Sequence, residues 1–271
     1  MDNRPSKQVI FLKNKTVPVD KYEIASKKHN FDKIKFIPLI KHRNRPTELV
    51  QLFTDNKYLN NLKYIIITSQ RTVECLYLEV LPNLSESQRN ILFNKVIYTV
   101  GPATSEFLKR CGFKTVLGED SGNGNNLADM IMDQIPPPNI HGATANNNNE
   151  FLFLVGLVRT DIIKNKLTNK GYQIREIIAY ETVALDNNLV KLKNEMKFDT
   201  NTWIVIFSPQ GIKEIIPYLK QIILLDNLFN VKIASIGPTT EAFLLKHNIK
   251  PHVTSPKPTP ESLLNAISSY E

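Results

Sequence analysis

Two distant segments of this chain read as copies of one another. Val100-Gly101-Pro102-Ala103-Thr104-Ser105-Glu106-Phe107-Leu108 aligns with Ile236-Gly237-Pro238-Thr239-Thr240-Glu241-Ala242-Phe243-Leu244. Upstream of each is an apolar run that ends in serine: Tyr64-Ile65-Ile66-Ile67-Thr68-Ser69 and Trp203-Ile204-Val205-Ile206-Phe207-Ser208. The serine-to-threonine offset is 35 residues in the first copy (69 to 104) and 32 in the second (208 to 240). A repeat on this scale predicts two α/β lobes of one design, each carrying the same pair of loops.

The pattern around the repeat agrees. Short β-branched runs alternate with helical patterns, as parallel α/β sheets require. Strands are predicted at Gln8–Leu12, Lys35–Ile40, Tyr64–Thr68, Val96–Val100 and Thr115–Leu117, then at Phe151–Val155, Ile174–Tyr180, Trp203–Phe207, Lys232–Ile236 and His252–Thr254. That is five per half in matching order. Ser69 is placed to cap a helix running through Val73 and Leu76, and Ser208 to cap one ahead of Ile212, Ile215 and Ile216. Thr259-Pro260-Glu261 is a further helix start, and Gly112 and Gly171 fall where helices should stop. Residues 136–150, rich in proline and asparagine, read as a disordered-type loop between the halves.

Several classes of chemistry are excluded or disfavoured. No apolar run is long enough to span a bilayer, and the first residues lack the apolar segment of a signal peptide, so a cytoplasmic location is expected. The formal net charge is +8, but lysines and arginines are dispersed among acids, which argues against nucleic acid and leaves an anionic small molecule as an equal explanation. Cys75 and Cys111 have no metal-spaced partner and are expected as buried free thiols. The five histidines, His42 among them, show no paired spacing. Neither a metal, a nucleophilic triad nor a cofactor loop is expected. Ser121-Gly122-Asn123-Gly124-Asn125-Asn126 reads as a turn.

Anion binding is what the strand ends do offer. In open α/β sheets the ligand crevice lies at the carboxyl ends of strands, beside the following helix N-termini. Ser69-Gln70-Arg71 and Gly101-Pro102-Ala103-Thr104 are two such ends; Ser208-Pro209-Gln210-Gly211 and Gly237-Pro238-Thr239-Thr240 are the other two. Each alone is also ordinary capping or turn chemistry. Arg71 at a helix start opposes the dipole, so a bound anion or a carboxylate would explain it. Tyr180 ends an apolar strand and is, on the residues alone, equally a core or linker tyrosine.

The ordered set Ile66-Ile67-Thr68-Ser69-Gln70-Arg71-Thr72-Val73-Glu74, Val100-Gly101-Pro102-Ala103-Thr104, Phe153-Leu154-Val155-Gly156, Ala179-Tyr180-Glu181-Thr182, Phe207-Ser208-Pro209-Gln210-Gly211, Ile236-Gly237-Pro238-Thr239-Thr240 and Ser255-Pro256-Lys257-Pro258-Thr259-Pro260 resembles the uroporphyrinogen-III synthase family, in its fungal version. The resemblance runs over nearly the whole chain. It implies two Rossmann- or flavodoxin-like lobes with parallel sheets, joined by a two-stranded β linker, with a ligand cleft between the lobes. The implied domains are 1–37 plus 182–271 and 46–174, with linkers at 38–45 and 175–181. That boundary overrides the one that the repeat alone suggests, at the Pro/Asn loop.

The implied reaction closes hydroxymethylbilane, a polycarboxylate tetrapyrrole, to uroporphyrinogen III with loss of water and inversion of ring D. No cofactor or metal is implied. Tyr180 is the implied aid to loss of the hydroxyl, a weak acid helping a ready leaving group. Thr240 is the second implied catalytic residue. Ser69, Gln70, Arg71, Gly101, Thr104, Gly156, Arg159, Ser208, Pro209, Gln210, Lys232, Gly237 and Thr239 are implied to bind the substrate. Ala103 stands where the second copy has Thr239, which suggests unequal roles for the two loops. The family further implies a monomer, no membrane, and transient contact with the preceding pathway enzyme. A non-catalytic two-lobed anion-binding or sensor protein would use the same loops. A two-lobed glycosyltransferase would need a ribose-binding carboxylate, for which the sequence offers no convincing position.

Overall fold

The computed structural model describes residues 6–137, 150–196, 200–224 and 230–270. Most of the expected 136–150 loop lies outside the described residues. The chain divides into two compact units, Met1–Lys41 with Val183–Glu271, and His42–Thr182. The first is therefore discontinuous, and the chain passes between units twice.

The strands are β1 (Lys7–Leu12), β2 (Lys33–Phe36), β3 (Ile40–Asn44), β4 (Tyr64–Ile67), β5 (Val96–Tyr98), β6 (Thr115–Leu117), β7 (Glu150–Gly156), β8 (Gln173–Ala184), β9 (Asn201–Ile206), β10 (Val231–Ser235) and β11 (Val253–Thr254). The first unit's sheet has the order β11-β10-β9-β1-β2; the other sheet has β3-β8-β7-β4-β5-β6. All pairs from β1 to β2, β9 to β10 and β10 to β11, and from β8 through β7, β4 and β5 to β6, are parallel. The order in the first unit is the flavodoxin-like 2-1-3-4-5. Taking β7 and β8 as first and second strands, the other unit has the same order, entered at its third strand. The repeat is thus real, but its copies are permuted: Ile174–Tyr180 belongs to the sheet of the first copy.

Both faces of each sheet are covered, so the central strands carry apolar side chains at every position. In β4, Ile65 and Ile67 face one core and Ile66 the other. In β9, Trp203 and Val205 face one side, Ile204 and Ile206 the opposite one. This is the two-residue period of a strand with no solvent side.

The expected strand Lys35–Ile40 is instead two, β2 and β3, interrupted at Ile37–Leu39. Pro38 has no N–H to give to a ladder, so the break falls where the sequence allows it. Residues 175–181, expected as a β linker, lie within β8, which pairs with β7 between Gln173 and Tyr180. β3 is the other neighbour of β8. There the His42 ring meets Thr182, Arg43 meets Glu181, and the Arg45 N–H donates to the Ala179 carbonyl, a register that runs antiparallel. Cys75 is buried and its thiol is pushed up to about 11 by burial; Cys111, expected buried, is only half-buried. No helix of the described residues is long and apolar enough to cross a membrane. Ile66 is fully enclosed, so Ile66→Ala should cost about 2–5 kcal/mol. Urea denaturation would show this as a lowered midpoint with an unchanged slope.

Candidate functional site

In the unit His42–Thr182, β4 ends one residue before Thr68-Ser69. Ser69 caps the helix Gln70–Cys75, its Oγ accepting from the Arg71 N–H at 3.2 Å. The helix passes directly into a π turn at Leu76–Val80. Tyr180 arrives from β8. The ladder between β7 and β8 shifts register between Val155 and Gly156, so that Val155 opposes Ile178 and Gly156 opposes Tyr180. Such a bulge re-aims the side chain that follows it. Tyr180 packs against the core of Ile177 and Ala179, where strict alternation would have sent it with Ile178. Its hydroxyl lies 3.2 Å from Ser69 Oγ.

Ser69, Gly156, Arg159 and Tyr180 line one cavity of about 320 Å³. Val100, Val158 and Ile163 give it apolar walls, and Gly124, at the start of the helix Gly124–Gln134, closes one side. Arg159 does not offer a bare charge. Its guanidinium holds Glu176 bidentately at 2.9 and 2.8 Å, and Lys164 donates to the same carboxylate at 2.6 Å. Burial pushes the Glu176 carboxyl up, but these hydrogen bonds outweigh it and hold the group below the ordinary glutamate range. The arrangement fixes Arg159 as a rigid donor at the cavity wall.

The neighbouring expected residues are less involved. Gln70 and Arg71 open the capped helix but do not line the cavity. Arg71 finds its carboxylate in Glu74, Nη1 to Oε2 at 2.6 Å, one turn along the same helix. Gly101 adopts φ +81°, which only glycine takes readily, and hands the chain to Pro102 at the start of the helix Pro102–Cys111. Thr104 is buried in that helix's first turn.

In the discontinuous unit, the Ser208 hydroxyl accepts from the Gln210 N–H at 3.1 Å, but no helix follows at once. Pro209 and Gln210 lie in turns, and the next helix begins only at Ile216, so the expected Ser208 cap is a local turn instead. Gly237 precedes Pro238, first residue of the helix Pro238–Lys246, with Thr239 exposed and Thr240 buried at 3% exposure. Gly237 is fully extended at φ 170°, and a Cβ built there meets nothing within 4 Å. Lys232 stands apart from these loops. It lies near the amino end of β10, five residues or about 16 Å of strand from Gly237. Its ammonium rests over Trp203 and Tyr270, at 5.8 and 5.6 Å from the ring centroids.

Sequence reasoning missed His42. Its ring meets Tyr180 edge-on at 5.9 Å, and its Nδ1 lies 3.1 Å from Thr182 Oγ1. Burial, with Arg71 assisting, holds its pKa below the ordinary histidine value, so the ring is neutral near pH 7. Only the pairing of β3 with β8 creates this neighbourhood, and no local signal announces it. Gly124 and Thr160 at the cavity were missed too; the glycine-asparagine run was the one available hint. Among the described residues, no group of three or more His, Cys, Asp or Glu is placed to hold a metal ion.

The clamp on Arg159 has a measurable consequence. Glu176 has a depressed carboxyl, so its contribution to stability is present above the unfolded value near 4.5 and is lost as pH falls through the folded one. Glu176→Gln should cost about 1–3 kcal/mol at pH 7. In thermal melts, the gap from the parent chain should narrow steadily on acidification below pH 4.5.

Comparison with known proteins shows the family. Residues 29–265 match the family described as Uroporphyrinogen-III synthase HemD. The chain is 44% identical to the uroporphyrinogen-III synthase of Saccharomyces cerevisiae over 282 aligned positions, which cover 100% of this chain and 99% of that one. It is 36% identical to the Schizosaccharomyces pombe uroporphyrinogen-III synthase, covering 98% of both. Among solved structures, uroporphyrinogen-III synthetase from Helicobacter pylori superposes with a TM-score of 0.57 at 18% identity, over 98% of this chain and 100% of that one. A Thermus thermophilus uroporphyrinogen III synthase superposes at 0.50 with 14% identity, over 98% of each. The structures support the two-lobed α/β fold, and identity over full length carries the rest: the chain belongs to the uroporphyrinogen-III synthase family.

Proposed function

We propose that this chain cyclises hydroxymethylbilane to uroporphyrinogen III, with Tyr180 assisting departure of the hydroxyl at the Ser69–Tyr180 cavity. Full-length identity to two synthases carries the reaction; the 3.2 Å approach of the Tyr180 hydroxyl to Ser69 Oγ supports the residue assignment. The purely anion-binding reading is not favoured, because it leaves the family match without a reaction.

The chemistry asks for positioning above all. The Tyr180 phenol gives its proton to the substrate hydroxyl, the C–O electron pair leaves with it as water, and the pyrrole nitrogen's lone pair takes up the positive charge, so that the ring becomes an azafulvenium ion. Attack from the substituted carbon of ring D on the freed methylene forms a spiro centre. The older carbon–carbon bond at that centre then breaks and re-forms at the ring's other α carbon, which turns the ring over. The proton released as the pyrrole is restored returns the phenolate to phenol, so one water is lost in all. A protein that left ring D free would give the uninverted isomer.

Ser69 keeps the phenol oriented, and Arg159, held by Glu176, presents a fixed cation for a side-chain carboxylate. By the family resemblance, Gly101 and Thr104, and separately Ser208, Pro209, Gln210, Gly237 and Thr239, are assigned to substrate binding, and Thr240 to catalysis. Thr240 acts through its hydroxyl and its first-turn N–H. Gln70 and Arg71 have a weaker role than the sequence suggested, and Lys232 is set aside. The enzyme works in the cytoplasm and, by family resemblance, as a monomer, with transient contact with the enzyme that releases its substrate.

The decisive assay generates hydroxymethylbilane in situ, adds the protein, oxidises the products and separates porphyrin isomers. Isomer III is expected; isomer I alone from folded protein defeats the reading. Tyr180→Phe should lower kcat by about tenfold to a hundredfold. Thr240→Ala should also lower kcat, whereas Ser69→Ala should chiefly raise KM; full activity in both Tyr180→Phe and Thr240→Ala would overturn the site.

A further inference from the structure

We propose that the Tyr180 ring is clamped between Gly156 and His42, and that both are positioning residues for its hydroxyl. The inference rests on the reading of Tyr180 as the group that assists loss of the substrate hydroxyl. Gly156 does not have a left-handed backbone, so conformational freedom does not explain a glycine there. Space does. A Cβ built on Gly156 would lie 2.7 Å from Tyr180 Cζ, 2.8 Å from its Oη and 3.1 Å from its Cε1. These are the three nearest atoms, and all belong to one side chain, so a methyl group at this position collides first with the tyrosine ring.

The ring has little freedom to step aside. Its backbone is fixed by the Leu157 N–H, which donates to the Tyr180 carbonyl at 2.9 Å across the bulge. His42 stands edge-on to the ring at 5.9 Å and is itself tied to Thr182. Between these walls the hydroxyl is delivered to Ser69 Oγ. The bulge, the missing side chain at 156 and the imidazole thus serve one end: a single orientation for a phenol at the cavity wall.

A double-mutant cycle separates this role from general loss of stability. Gly156→Ala, Tyr180→Phe and the pair are assayed for kcat, KM and isomer ratio, with circular dichroism confirming the fold. Gly156→Ala is expected to lower kcat about tenfold while KM changes by less than about threefold. On the Tyr180→Phe background it should lower kcat no further. Multiplying losses in the double variant, or parental turnover in Gly156→Ala, would overturn the clamp. If Tyr180→Phe itself turns over at the parental rate, the assignment of Tyr180 fails first and takes the clamp with it. Should Gly156→Ala not fold, His42→Ala runs the same cycle: a fall in kcat that vanishes on the Tyr180→Phe background supports the clamp, and an unchanged kcat refutes it.

Discussion

Each unit depends on a central strand with no face turned to water. β4 and β9 are buried on both sides, with cores above and below drawing on alternate residues of the same short run. Each fully buried aliphatic side chain contributes about 1.5–3 kcal/mol relative to exposure. A one-residue slip would exchange every side chain between two differently shaped cores. That fixed register decides where the strands stop, and so where Ser69 and Ser208 emerge. The proposed site residues Ser69 and Ser208 therefore stand just beyond the ends of strands whose register is fixed.

The two copies of the repeat have diverged at these ends in ways that physical constraints separate. Ser69 starts a helix, while Ser208 starts a series of turns. Gly101 is needed for its positive φ; Gly237 is not, since its backbone is extended and its Cβ position is open. Equivalent places in a duplicated design therefore carry different obligations. Both leave room beside the backbone, but only Gly101 is required by its backbone conformation. Identical sequence letters concealed that difference.

The strand sequence and the α/β class were legible because β-branched runs and helix punctuation are local. The sheet order was less so. The repeat suggested halves divided at the Pro/Asn loop, whereas the structure closes the first copy's sheet with β7 and β8, and a permuted copy looks the same to a linear reading. Ser69, Gly156, Arg159 and Tyr180 were named from the sequence, and they share a cavity. Lys232 was implied by the family resemblance as a further charge for the substrate, and it lies near the amino end of β10, away from the loop at that strand's other end. His42 was passed over because its neighbours Tyr180 and Thr182 are remote in sequence. Arg71 looked short of an anion until the Glu74 three residues on was seen to reach it.

The discontinuity of the first unit also sets an order of events at the ribosome. β1 lies between β2 and β9, which stand on opposite sides of it in the sheet but far apart in the chain. Once β2 is made, β1 must keep its other edge open while the whole of His42–Thr182 is synthesised. An open apolar edge is a template for unwanted pairing. The second unit, by contrast, has every strand of its own sheet as soon as β8 is made. The inserted unit can thus close on itself while the first strands of its host still wait for their neighbour.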